Sequence, residues 1–188
     1  PKGTPWNTTP TSHPYIRSTD IKKGLIDESR LVYVPDSVWS SISRYTVDEG
    51  DVLVTIAGTI GETGVVSRNL EGANLTENAA KIVAPRELVD PHFLEMYLRS
   101  PLVSQEMQFL SRATTQPKLA LYRIEEIQVP LPSLGEQHEI LQRLHRVQDA
   151  HRISSQRFEV LRSGISDFRS SLLHSAFEGD LLKVGKDD

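Results

Sequence analysis

The sequence predicts an α+β fold: a small mixed domain rich in short strands, followed by a long coiled-coil helix. Three observations carry that expectation. Short runs rich in Val and Ile, each bounded by Gly, Pro, Asn or Asp, are spread over residues 31–85. Asp90 and Pro91 read as an N-cap and a first-turn proline ahead of a helical pattern. Beyond Pro132 there is no further proline, and apolar residues recur at alternating spacings of three and four.

Residues 1–14 (PKGTPWNTTPTSHP) are rich in Pro, Thr and Ser and read as an irregular loop with little intrinsic order. Strands are expected at LVYVP (31–35), DVLVTIA (51–57), GVVS (64–67) and KIVAP (81–85). Gly58, Gly61 and Gly64 lack the Gly-Lys-Ser/Thr ending of a phosphate-binding loop, so they read as a turn between two strands. The helix opened by Asp90 runs through PHFLEMYLRS, is interrupted at Pro101, and resumes in LVSQEMQFL. A final strand is expected at 124–132 (IEEIQVPLP), closing a domain of roughly 130 residues. The domain boundary is accordingly drawn at 1–132, with 133–188 as a helical dimerisation and spacer region.

Ser133 and Glu136 have the spacing of a capping box, in which each side chain satisfies the other's backbone N–H, and Gly179 suits a C-terminal cap. A helix over 134–178 is roughly 68 Å long. Its seam passes through Ile140, Leu144, Val147, His151, Ser154, Phe158, Leu161, Ile165, Phe168, Leu172 and Ser175, and eight of these eleven positions are apolar. Such a seam calls for a partner helix, and the eight apolar residues are the expected dimer interface. A fold-back onto its own domain is the alternative, and Gly164 could break the helix into a hairpin.

The 188 residues carry a net charge of −4, which argues against holding nucleic acid by charge alone. Basic residues nevertheless cluster. Lys2, Arg17, Lys22 and Lys23 face only Asp20 in residues 1–26, and Arg112, Lys118 and Arg123 stand without an acid in 107–124. Zero cysteines exclude a disulfide framework, thiolate metal sites and cysteine nucleophiles, and fit a reducing, cytoplasmic compartment. No stretch approaches about 18 apolar residues, so no membrane span is expected, and Pro1 in place of an initiator Met suggests a trimmed amino terminus. The six histidines show no metal-ligand spacing. Trp39 is assigned to the core, whereas Trp6 lies in the irregular loop, available to a base or a partner protein.

The stretches PYIRSTDIKKGLID (14–27), GDVLVTIAGTIGETGVV (50–66), ATTQPKLALYRIEEIQVPLPSLGEQHEI (113–140) and FRSSLLHSAFEGDLL (168–182) resemble, in order, the specificity subunits of type I restriction-modification systems. The resemblance covers nearly the whole chain, and its most specific part is the junction IQVPLPSLGEQHEI leading into the long helix. Members of that family carry two recognition domains and two helices. This chain has one of each, so it resembles a half subunit, natural or trimmed.

The resemblance implies a cytoplasmic, non-catalytic DNA-recognition component that binds no cofactor. Double-stranded DNA, methyltransferase (modification) subunits and restriction subunits are its implied partners. The residues agree on chemistry: 90–93 (DPHF) lacks the second proline of an adenine-methyltransferase motif, and 20–22 (DIK) lacks the upstream acid of a nuclease. Candidate DNA contacts are Arg17, Ser18, Thr19, Lys22 and Lys23, then Arg112, Thr114, Thr115, Gln116 and Lys118, with Thr59 in the Gly-rich turn. Two alternatives stand beside this reading: the recognition end of a single-chain restriction-methyltransferase, and a coiled-coil adaptor whose head binds protein.

Overall fold

Residues 6–111 and 117–177 are described by a computed structural model. The fold is mixed α+β, as expected. Strand β1 (Pro14–Ile16) is the middle of a three-stranded sheet, antiparallel to β4 (Val32–Tyr33) and parallel to β7 (Asn74–Leu75). Strands β2 (Ile21–Lys22) and β3 (Leu25–Ile26) form a hairpin. A second three-stranded sheet sets β5 (Val52–Thr55) between β6 (Thr63–Val65) and β8 (Ala79–Ile82), antiparallel to both. The helices are α1 (Asp36–Ile42), α2 (Pro91–Leu98), α3 (Pro101–Ser111), α4 (Leu121–Glu125) and α5 (Leu134–Phe177).

Strand β5 explains why its sequence is apolar without interruption. A strand presents successive side chains to opposite faces, so one covered on both sides reads as a continuous hydrophobic run. Val52 and Val54 pack with Leu94 and Leu98 of α2 and Val103 and Met107 of α3. Leu53 faces the other way, into a cluster with Ile16, Ile21, Val47 and Leu70. All three are fully buried, each worth roughly 1.5–3 kcal/mol of transfer free energy. A third cluster gathers Tyr15, Val32 and Val34, with Trp6 and Trp39 packed against it.

Helix α2 begins as its sequence indicates, with the Asp90 carboxylate accepting from the backbone N–H groups of His92 (2.8 Å) and Phe93 (3.3 Å). Its buried Glu95 accepts from Thr63 Oγ1 at 2.7 Å and Arg99 Nε at 2.8 Å, tying α2 to β6. The capping box of α5 is formed: Ser133 donates from its backbone N–H (2.8 Å) and hydroxyl (2.7 Å) to Glu136. Helix α5 passes through Gly164 without a break, so the hairpin alternative is not what forms.

The strand expected at 124–132 is absent. Residues 121–125 form α4, and 126–133 are irregular. Pro130 and Pro132 lack the N–H groups a ladder needs, while Ile124, Ile127 and Val129 pack, partly buried, against the core cluster that includes α2 and α3. The apolar positions that imitated a strand are spread over the end of α4 and the irregular segment after it. Residues 6–14 of the amino-terminal stretch are more ordered than their composition implies: Asn7 exchanges backbone hydrogen bonds with Tyr33 (2.9 and 3.0 Å), and Trp6 stacks on Tyr15 at 4.3 Å. Trp6 is therefore occupied within the fold.

The chain divides into two compact units between Leu141 and Gln142. The first two turns of α5 belong to the first unit, where Gln137 and Leu141 are buried. Among the described residues, no helix is long and apolar enough to cross a membrane.

Candidate nucleic-acid interface

The first basic cluster is built on a three-residue 3-10 turn, Ser18–Asp20, and the β2–β3 hairpin that follows it. Asp20, only 3% exposed, accepts from the Arg17 backbone N–H (2.9 Å), Arg17 Nε (3.0 Å) and Arg17 Nη2 (2.7 Å). Arg17 also donates to the Arg30 carbonyl at 2.6 Å. The hydrogen bond to Asp20 holds the guanidinium's pKa above its ordinary value. Arg17 therefore neutralises a buried acid and clamps the hairpin, a task its sequence position did not reveal. Thr19 is exposed and Ser18 half-buried on the same turn.

Lys22 pairs with Leu25, leaving Lys23 and Gly24 as a two-residue loop with φ of +53° and +86°. Positive φ at both central positions is the pattern of a type I′ turn, whose twist suits the strands; glycine adopts it freely and Lys23 takes it here. Both lysines are exposed at this tip. The Lys23 N–H donates to Glu62 Oε2 (2.9 Å) and the Gly24 N–H to the Thr63 carbonyl (3.0 Å). The hairpin is thus docked against the end of the Gly-rich turn.

That turn spans residues 56–62 between β5 and β6, with Gly58 and Gly61 at φ of +80° and +86°. Fully buried Thr55 organises it. Its hydroxyl donates to the Thr59 carbonyl and accepts from the Glu62 N–H, and its backbone pairs with Gly61 and Glu62. Thr59 itself is exposed at the crest. On its other side the turn meets the second basic segment: Ala57 forms a bridge with Lys118, and the Leu119 N–H donates to the Ile56 carbonyl at 2.9 Å. One turn therefore links Lys22 and Lys23 to Thr59 and Lys118. The remaining candidates of the second segment, Arg112, Thr114, Thr115 and Gln116, lie outside the described residues, as does Gly179.

Beside Lys118 opens a cleft of about 930 Å³ with a mostly apolar floor that includes Leu75 and Leu119. Arg44, Tyr45, Lys81 and Glu77 also line it. Arg44 sits 4.7 Å from the Tyr45 ring centre and donates to its hydroxyl at 2.6 Å. Sequence reading passed over this Arg-Tyr pair because one arginine in a mixed stretch, SRYTVDEG, carries no cluster signal.

The seam residues of α5, Ile140, Leu144, Val147, Phe158, Leu161, Ile165, Phe168 and Leu172, are all exposed, from 38% at Ile140 to 73% at Phe158. Among the described residues no group of three or more His, Cys, Asp or Glu side chains is placed to hold a metal ion.

Polar loops assembled on an α+β head, with a long helix carrying an uncovered apolar seam, make up a binding module. The chain belongs to the family of the type I restriction modification DNA specificity domain, whose family model matches residues 6–162. It is 31% identical over 167 residues to the type I restriction enzyme EcoBI specificity subunit of Escherichia coli, covering 88% of this chain and 35% of that protein. The EcoKI specificity subunit of Escherichia coli strain K12 is 23% identical over 174 residues, covering 90% of this chain and 37% of that protein. The chain thus spans little more than a third of the length of these curated relatives. In fold it matches the crystal structure of the HsdS subunit from Thermoanaerobacter tengcongensis, with a TM-score of 0.64 at 20% identity, over 95% of this chain and 44% of that one. A chain from a structure addressing complex assembly and conformational transition of the type I R-M system matches with a TM-score of 0.60 at 21% identity, over 94% of this chain and 44% of that one.

Proposed function

We propose that this chain is the sequence-specific DNA-recognition component of a type I restriction-modification complex, directing methyltransferase and restriction subunits to a bipartite target. The observation that carries the reading is the 56–62 turn and the start of β6, to which the Lys22–Lys23 hairpin is tied through Glu62 and Thr63 and Lys118 through Ala57, with Thr59 exposed between them. Exposed lysines and hydroxyls suit phosphates, and Ser18, Thr19, Arg112, Thr114, Thr115 and Gln116 are further proposed DNA contacts, whereas Arg17 serves the hairpin. Family membership and relatives named as specificity subunits support it over a single-chain enzyme end or a protein-binding adaptor.

In this reading the chain performs no chemistry and binds no cofactor, and the modification subunits bring S-adenosylmethionine. Residues 1–132 are the target-recognition domain and 133–188 the spacer, which pairs with a second copy through the α5 seam. The complex works in the cytoplasm. The test is methylome sequencing of cells that express the chain with its methyltransferase subunits. A methylated motif of two half-sites around an unread spacer, lost when the chain is omitted, is expected. Methylation that is unchanged without the chain defeats the proposal.

A further inference from the structure

The cleft beside Lys118 has an unusual distribution of charge. Of the three basic groups that line it, Lys81 is already neutralised: its Nζ lies 3.3 Å from Asp51 and 3.8 Å from Asp48, and it donates to the Thr46 carbonyl at 3.0 Å. Arg44 and Lys118 are different. Both are exposed, and among the described residues neither has an acid within ion-pair distance. Arg44 spends one donor on Tyr45 and stacks on its ring, which orients the guanidinium while leaving its other N–H groups free for an anion. Glu77 is the single acid of the lining. In a chain of net charge −4, the cleft is a local cationic rim over an apolar floor.

A ligand for such a site is amphipathic, anionic at its edge and apolar beneath. A sugar-phosphate backbone has that chemistry, with phosphates along the outside and deoxyribose carbon faces inside. Its continuity with the proposed DNA surface is direct, since Lys118 belongs to both and its backbone is bridged to the turn that carries Thr59. We propose that this cleft seats one strand of the target duplex, with Arg44 and Lys118 holding its phosphates and Tyr45 packing against its sugar edge. The inference rests on the DNA-recognition reading and extends the interface to residues that no charge cluster marks. Both cations position the duplex; neither reads its sequence.

Fluorescence anisotropy of the chain assembled with its methyltransferase subunits, titrated on target and unrelated duplexes over a series of salt concentrations, tests this. Each phosphate contact contributes about 0.9 to the slope of log affinity against log salt. Arg44→Ala and Lys118→Ala should each lower the slope by about 0.9, equally on both duplexes, and Arg44→Lys and Lys118→Arg should restore it. Arg68→Ala removes the same charge from an exposed position outside the cleft and should leave the slope unchanged. Tyr45→Ala should weaken binding with the slope intact. If Lys22→Ala and Lys23→Ala lower the slope but Arg44→Ala and Lys118→Ala do not, the cleft inference is overturned and DNA recognition by the hairpin stands. An equal drop for Arg68→Ala overturns the inference too, because the effect is then bulk charge. If none of these variants lowers the slope, the DNA-recognition reading falls with it.

Discussion

Gln137 shows how much one polar side chain can anchor. It is fully buried, its Oε1 accepts from the Asp90 N–H, and its Nε2 donates to the Leu88 and Pro132 carbonyls, each at 2.8 Å. It thereby joins the start of α2 to the root of α5. A buried backbone group without a partner costs about 1–3 kcal/mol. Gln137→Leu removes the partner of three partly buried backbone groups, so a loss of about 1–3 kcal/mol is expected, read as a lower urea midpoint. Gly24 is a second fixed point. At φ +86° an added Cβ is strained, and it would stand 2.9 Å from the buried Glu95 Oε1. Gly24→Ala should cost about 1–2 kcal/mol from backbone strain alone, again seen by urea unfolding, and should loosen the lysine-bearing tip.

Helix α5 begins at a titratable cap. Hydrogen bonds from the Ser133 hydroxyl, and then from its backbone N–H, hold the Glu136 carboxyl below its ordinary pKa. The folded state therefore favours the carboxylate. That contribution is complete above the carboxyl's ordinary pKa and disappears as pH falls through the lowered one. Amide exchange in the first turn of α5 should accelerate over that acid range, and Glu136→Gln should remove this part of the pH dependence. Farther along, a Cβ built on Gly164 meets nothing within 4 Å. Because the helix is continuous there, Gly164→Ala should stabilise it by about 1 kcal/mol, detected as a raised helical melting temperature by circular dichroism. A residue needed for a hairpin bend would give the opposite sign.

At the scale of the whole molecule, the seam of α5 leaves eight large apolar side chains in water, the kind of stripe that marks an interaction surface. The proposed second copy would cover it through a two-fold interface. Sedimentation equilibrium should give a dimer at micromolar concentration, converted to monomer by Leu161→Asp with Phe168→Asp. An antiparallel pair presents one reading surface twice, so its methylated site should be two inverted, identical half-sites. Deleting one heptad, residues 155–161, should shorten the spacer and leave the half-sites unchanged. A non-palindromic site would defeat the symmetric arrangement while leaving the dimer itself to the sedimentation result.

Local chemistry made much of this legible in the sequence alone. The Asp90–Pro91 helix start, the Ser133–Glu136 box, the uninterrupted apolar run of β5 and the three-four spacing of α5 each depend on neighbours within a few positions, so period and capping chemistry are sufficient. The α+β class follows from those elements, and the family resemblance from the order of the stretches that contain them. Tertiary structure alone decided the rest. Residues 124–132 read like a strand, yet 124–125 end α4 and the rest, with two prolines, stay irregular. Arg17 looked like a free cation until Asp20 was buried against it, and Arg44 became conspicuous only when the fold brought Lys118 into the same cleft. Gln137 reaches a carbonyl 49 positions away. Such pairings follow from how elements pack, because burial and charge compensation belong to the assembled chain and leave no periodic trace along it.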